Sequence, residues 1–210
     1  MKNNNRCSHF QFFCAAVFLL SIAKSASAAL VDRGGGMIYD TDLNITWLKD
    51  ANYAKTSGYD ADGLMTWAGA KAWAENLVYG GYSDWRLPTS DTCMGYSCTG
   101  SEMGHLFYNE LGGVAGNSIL TSADPDLALF QNVQSDLYWS GTEYALLTGV
   151  AWSFLTYDGY QGARPMNDNM FALAVRPGQV SAVPEPATTW LLGLGLLGLA
   201  SVARRRLALR

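Results

Sequence analysis

Two apolar segments bracket this chain and confine whatever folds to the stretch between them. The first follows a basic start (Lys2, Arg6), runs from Phe10 to Ala23 and leads into the small-residue triplet Ala26-Ser27-Ala28. A basic head, a short apolar core and an Ala-x-Ala site make a secretory signal peptide, with cleavage after Ala28. The run is shorter than the roughly 20 residues a retained anchor needs. Phe12-Phe13 before Cys14 are too large for a lipid-attachment site. The second segment, Ala187 to Ala203, lies between Pro184-Glu185-Pro186 and Arg204-Arg205-Arg206. As a helix it reaches about 26 Å, enough for a thin hydrocarbon core. Its arginines hold the end on the cytoplasmic side, which leaves the rest of the chain outside the inner membrane. The expected organisation is a signal peptide at 1–28, one domain at 29–180, a linker at 181–186, and a transmembrane helix with a basic tail at 187–210.

A domain of that size buries roughly 70% of its unfolded surface, so it needs neither metal nor many disulfides to hold a core. Its basic residues are Arg33, Lys49, Lys55, Lys71, Arg86, Arg164 and Arg176, while every acidic residue of the chain except Glu185 falls within it. An acidic surface repels phosphate backbones and anionic lipid, which excludes nucleic acid as a partner class and suits neutral glycans or cations.

Cys7 and Cys14 leave with the signal peptide, so Cys93 and Cys98 are the cysteines of the domain. Export places them in an oxidising compartment, where so close a pair is expected to close as a disulfide. Free thiols and a metal are the alternatives. A metal would need two more soft ligands, and the domain offers only His105.

The segment from Leu30 to Leu48 reads as short strands broken by turns, with Met37–Tyr39 and Ile45–Leu48 as the β-prone runs. Leu64, Trp67, Ala70, Ala74 and Leu77 recur at helical steps and predict an amphipathic helix that Gly80-Gly81 ends. A second helix is expected between a Ser101 or Thr99 cap and the stop at Gly112-Gly113, with His105 on its flank as a hydrogen-bonded or surface residue. Further strands are expected near Leu137–Ser140, Ala151–Tyr157 and Phe171–Arg176. The fold class is therefore α+β, with most of the plentiful Trp and Tyr filling a loop-rich core.

Three blocks carry a resemblance. Trp85-Arg86-Leu87-Pro88-Thr89, then Tyr138-Trp139-Ser140-Gly141-Thr142-Glu143, then Val175-Arg176-Pro177 resemble, in this order, the motifs of the Lcl C-terminal domain family. The resemblance spans nearly all of the domain. It implies a C-type-lectin-like fold, related to formylglycine-generating enzymes: two helices, small twisted antiparallel sheets, long loops and adjacent termini. The blocks also read as scaffold. Pro88 fixes a turn, Leu87 points inward, Arg86 suits a fork onto a carboxylate or carbonyls, and Trp139 is expected to pack on the helices. The tail from Pro184 to Arg206 resembles the PEP-CTERM sorting signal, which implies an exosortase-type processing enzyme as partner and a final place at the envelope surface or in the extracellular matrix.

Function is read against three classes. Formylglycine-generating enzymes use a cysteine pair with the spacing of Cys93 and Cys98, but that pair lies near the end of their domain, whereas this one directly follows Trp-Arg-Leu-Pro-Thr. No Ser/His/Asp set is available with a single histidine in the domain, and Gly34-Gly35-Gly36 lacks the lysine of a phosphate loop. The many carboxylates leave acid pairs open, but no catalytic residue is singled out and no obligate cofactor is expected. A calcium-dependent lectin is the second class: such lectins carry an Asn-Asp pair where this chain has Asn167-Asp168, and Asp158 could add a carboxylate. The third class, a non-catalytic surface or matrix protein associated with exopolysaccharide or another glycan, fits the sorting segments best.

Overall fold

The computed structural model describes residues 29–181. The expected signal peptide, the Pro-Glu-Pro motif, the apolar span and Arg204-Arg205-Arg206 lie outside the described residues. Among the described residues, no helix is long and apolar enough to cross a membrane.

In chain order the elements are β1 (Leu30–Asp32), β2 (Met37–Asp40), β3 (Ile45–Leu48), α1 (Tyr53–Thr56), α2 (Trp67–Glu75), α3 (Glu102–His105), β4 (Leu137–Glu143), β5 (Val150–Leu155), β6 (Tyr160–Pro165) and β7 (Val175–Pro177). A π-helical turn, Leu106–Glu110, continues α3 without a break. Short 3-10 turns occupy Ile119–Thr121 and Pro125–Leu129. The strands form two antiparallel sheets, ordered β1-β2-β3-β7 and β4-β5-β6. The α+β class expected from the sequence is the class observed.

The two sheets are tied by the segment before β7. Phe171 N donates to Leu137 O and Phe171 O accepts from Trp139 N, both on β4. Four residues on, Val175 pairs with Trp47 of β3. The predicted strand Phe171–Arg176 is thus an extended, largely buried strap whose two ends serve different sheets, and only its last part forms a ladder. The first and last strands share one sheet and are separated by two others, which puts the ends of the domain within about 15 Å of each other.

All the tryptophans of the domain are at least nine-tenths buried. An indole N–H must find an acceptor once it leaves water, and four do so at fixed points. Trp139 Nε1 donates to Met65 O at 2.8 Å, Trp67 Nε1 to Ser140 O at 2.8 Å, Trp85 Nε1 to Tyr79 O at 3.3 Å and Trp47 Nε1 to Asp40 Oδ2 at 3.3 Å. The first two bonds run in opposite directions between β4 and the start of α2. Trp139 therefore packs on the helices as expected.

The structure shortens the first predicted helix. The Thr66 side chain caps α2 by accepting from Gly69 N, and the helix ends at Asn76, leaving Leu64 and Leu77 outside it. Gly80-Gly81 is not its stop signal. With φ of 61° and 84° the two glycines form the tight turn between Tyr79 and Tyr82, whose backbones bond to each other twice. Two consecutive left-handed residues match the twist of a two-residue hairpin. β6 was not among the expected strands, because Gly162, Arg164 and Pro165 dilute its β pattern. Pro165 is tolerated there because β6 is an edge strand of its sheet.

Candidate functional site

The Trp85–Thr89 block is a clasp. Arg86 N donates to Val175 O at 2.8 Å and Val175 N to Arg86 O at 2.9 Å, which sews the block to β7. Its guanidinium forks onto Glu102 with two bonds of 2.7 Å and also reaches Leu87 O at 3.1 Å. Glu102 Oε2 accepts a third bond from Thr89 N at 2.7 Å. Glu102 opens α3, whose Ser101 cap accepts from Gly104 N at 3.0 Å. Pro88 O accepts from Ser140 Oγ at 2.9 Å and from Gly141 N at 2.8 Å, both on β4. The block thus joins α3, β4 and β7, and the Glu102 bonds hold the Arg86 pKa above its ordinary value. A second fork lies beside it. Arg176 binds Asp84 at 2.7 and 2.9 Å and stacks 4.0 Å over the Tyr82 ring, and its hydrogen bonds lower the Asp84 pKa.

Downstream of the clasp the chain enters the cysteine loop. Cys93 and Cys98 are joined in a disulfide, as expected, with Cα atoms 5.6 Å apart. Gly95 pairs with Gln161 on the outer edge of β6. The buried Gln161 amide donates to Asp91 Oδ1 and Cys93 O, each at 2.7 Å. Ser90 N donates to Thr142 Oγ1 at 3.0 Å, which ties the loop to β4. Between them opens a cleft of about 390 Å³, with Ser90, Asp91, Thr92 and Met94 on one wall and Thr142–Leu146 with Trp152 on the other. Tyr144 meets Trp152 edge to face, ring centres 5.1 Å apart. Carboxylates, hydroxyls and an aromatic pair thus face one space. Thr142 and Glu143 belong to the Tyr138–Glu143 block, but none of these residues was among the candidate binding residues expected from the sequence.

The expected calcium set does not assemble. Asp158 sits in the turn before β6, where Oδ1 accepts from Tyr160 N at 2.9 Å and Oδ2 from Tyr96 Oη at 3.2 Å. Asn167 and Asp168 lie in the turn after β6, closed by Asp168 N donating to Pro165 O. The strand between them extends for about 20 Å, far beyond the reach of one cation.

A different set converges. Asp40 ends β2 and is fully buried. Its Oδ1 accepts from Asp42 N and Leu43 N, which fixes the β2–β3 loop. His105 and Glu110 face it: His105 Nε2 lies 2.9 Å from Glu110 Oε1, and one ligating atom from each of the three residues falls within 4.8 Å of the others. His105 Nδ1 is 2.9 Å from Asn109 Nδ2. Burial, then the nearby Asp40 charge, push the Glu110 pKa up against the opposing His105 bond. The sequence put His105 on a helix flank as a surface or hydrogen-bonded residue, and the structure makes it half-buried and hydrogen-bonded. The sequence offered no sign of Glu110, since residues five apart on an α-helix point about 140° away from each other. The π-helical turn, closed by Leu111 N donating to Leu106 O at 3.0 Å, removes most of that angle.

Clasp, disulfide loop and two small sheets define a class, a disulfide-braced α+β domain built for export. The chain belongs to the Lcl C-terminal domain family, whose model matches residues 36–176. A second family model, the PEP-CTERM protein-sorting motif, matches residues 182–206. That motif makes this an exported surface protein that is anchored in the membrane in transit and processed by an exosortase. No curated protein matches the chain.

Proposed function

We propose that the domain is a non-catalytic glycan-binding module, delivered by the sorting tail to the envelope surface or extracellular matrix, where it engages exopolysaccharide. The observation that carries this reading is the cleft between the disulfide loop and the end of β4. Sugars are held by carboxylates and hydroxyls that bond their OH groups and by aromatic faces that cover their C–H faces. Asp91, Glu143 and Thr142 offer the first, and the half-buried Tyr144 ring, backed edge to face by the buried Trp152, offers the second. Short helices beside two small antiparallel sheets, with first and last strands in one sheet, support a C-type-lectin-like frame for it.

The full chain in detergent micelles, applied to an array of neutral and acidic polysaccharides, tests the proposal. Retention of one polysaccharide, lost in Glu143→Ala and Tyr144→Ala and unchanged by calcium or EGTA, is the expected result. Silence across the array leaves a purely structural protein, and turnover of any sugar overturns the non-catalytic assignment. Processing near Pro184–Pro186 is part of the same proposal. Intact mass of the envelope species should lack Trp190–Arg210, and a species that retains them makes the tail a plain anchor.

A further inference from the structure

We infer that Asp40, His105 and Glu110 form a binding site for a first-row divalent cation of the zinc or manganese type. Asp40 ends β2, His105 and Glu110 lie on α3 and the π-helical turn that continues it, and the three side chains meet with ligating atoms within 4.8 Å. One imidazole with two carboxylates, and no thiolate, is a donor set for such cations. The site is charged, yet among the described residues no Lys or Arg pairs with it: Lys49, Lys71, Arg86 and Arg176 pair with other carboxylates, and Arg33, Lys55 and Arg164 form no ion pair. A divalent cation would balance both carboxylates where they are shielded from water.

The remaining valences point the same way. Glu110 has a side chain only 5% exposed, yet only its Oε1 has a hydrogen-bond partner among the described residues. Oε2 is not fully enclosed, reaches solvent and is free to ligate. Asp40 spends Oδ1 on two backbone donors, while Oδ2 accepts only the long 3.3 Å bond from Trp47 and keeps a lone pair. A ligating Nε2 needs its proton on Nδ1. Asn109, beside Nδ1, can turn its amide so that Oδ1 accepts that proton, which is the outer support that histidine ligands ordinarily have. The π-helical turn brings Glu110 under His105, and such turns cluster at functional sites.

The test is calorimetric titration of zinc, and separately of manganese, into the full chain in detergent micelles after chelator treatment and dialysis. One equivalent of at least one metal should bind, and melting temperature should rise with metal concentration. His105→Gln should abolish that equivalent. Asn109→Ala, at an exposed position, should keep the metal-free melting temperature and weaken binding about tenfold to hundredfold. No binding of either metal by chain that melts cooperatively overturns the site. So does binding that His105→Gln and Asn109→Ala both leave unchanged.

Discussion

Replacing Arg86 with alanine attacks the clasp at its centre. Three charge-assisted bonds of 2.7 Å converge on Glu102, two from Arg86 and one from Thr89 N. The substitution leaves that carboxylate, 13% exposed, with a single donor. Breaking a buried ion pair from one side costs about 3–5 kcal/mol. The Arg86 side chain is 33% exposed, so water reaches part of the gap and the lower end applies, about 3 kcal/mol. For a domain near 150 residues this lowers the melting temperature by about 6–12 °C. Arg86→Lys keeps the charge but loses the fork, and should fall about midway. Adding Glu102→Gln to Arg86→Ala removes the stranded charge, so the double variant should melt above Arg86→Ala. Circular dichroism melts of the four proteins in the same detergent read all of this. An Arg86→Ala melt within about 2 °C of the parent, or a Glu102→Gln addition that lowers it further, would refute the stranded-charge argument.

Asp84 has a pKa lowered in the folded state by the Arg176 hydrogen bonds, so its stabilisation is present above the ordinary 3.8 and lost as pH falls through the folded value. Melts from pH 5 downward should therefore decline less steeply in Asp84→Asn than in the parent. Reduction of Cys93–Cys98 opens a short loop and should destabilise by about 2 kcal/mol, read as a melt lowered by roughly 4–8 °C in reductant. A Cys93→Ser/Cys98→Ser double variant should melt at that lower temperature with or without reductant. Gly104→Ala would press a methyl into the backbone carbonyl of Cys98, where no side chain can yield. It should cost at least about 3 kcal/mol, and a variant that melts within a degree of the parent rejects that close approach.

Much of the fold was legible in the chain itself, for reasons that act locally. The sorting tail is read from its motif, hydrophobic length and flanking charge, and none of these needs a tertiary partner. Ser101 announces α3 because a cap is a bond between near neighbours. Cys93 and Cys98 are close enough that their pairing follows from chain reach. The Trp85–Thr89 block was readable as scaffold, and Arg86 met both a carboxylate and a carbonyl as its fork suggested. What tertiary structure alone decided is where side chains from distant elements meet. β6 hides in a Gly- and Pro-containing stretch and forms because β5 offers it an edge, and it is β6 that parts Asp158 from Asn167-Asp168. The cleft exists because Gln161, on that strand, holds the disulfide loop to one edge of the sheet while Thr142 holds it to β4 at the other. Asp40 and Glu110 carry no common period or motif. They face each other because a hairpin end and a widened helical turn were packed together, and only that packing places two buried carboxylates around one histidine.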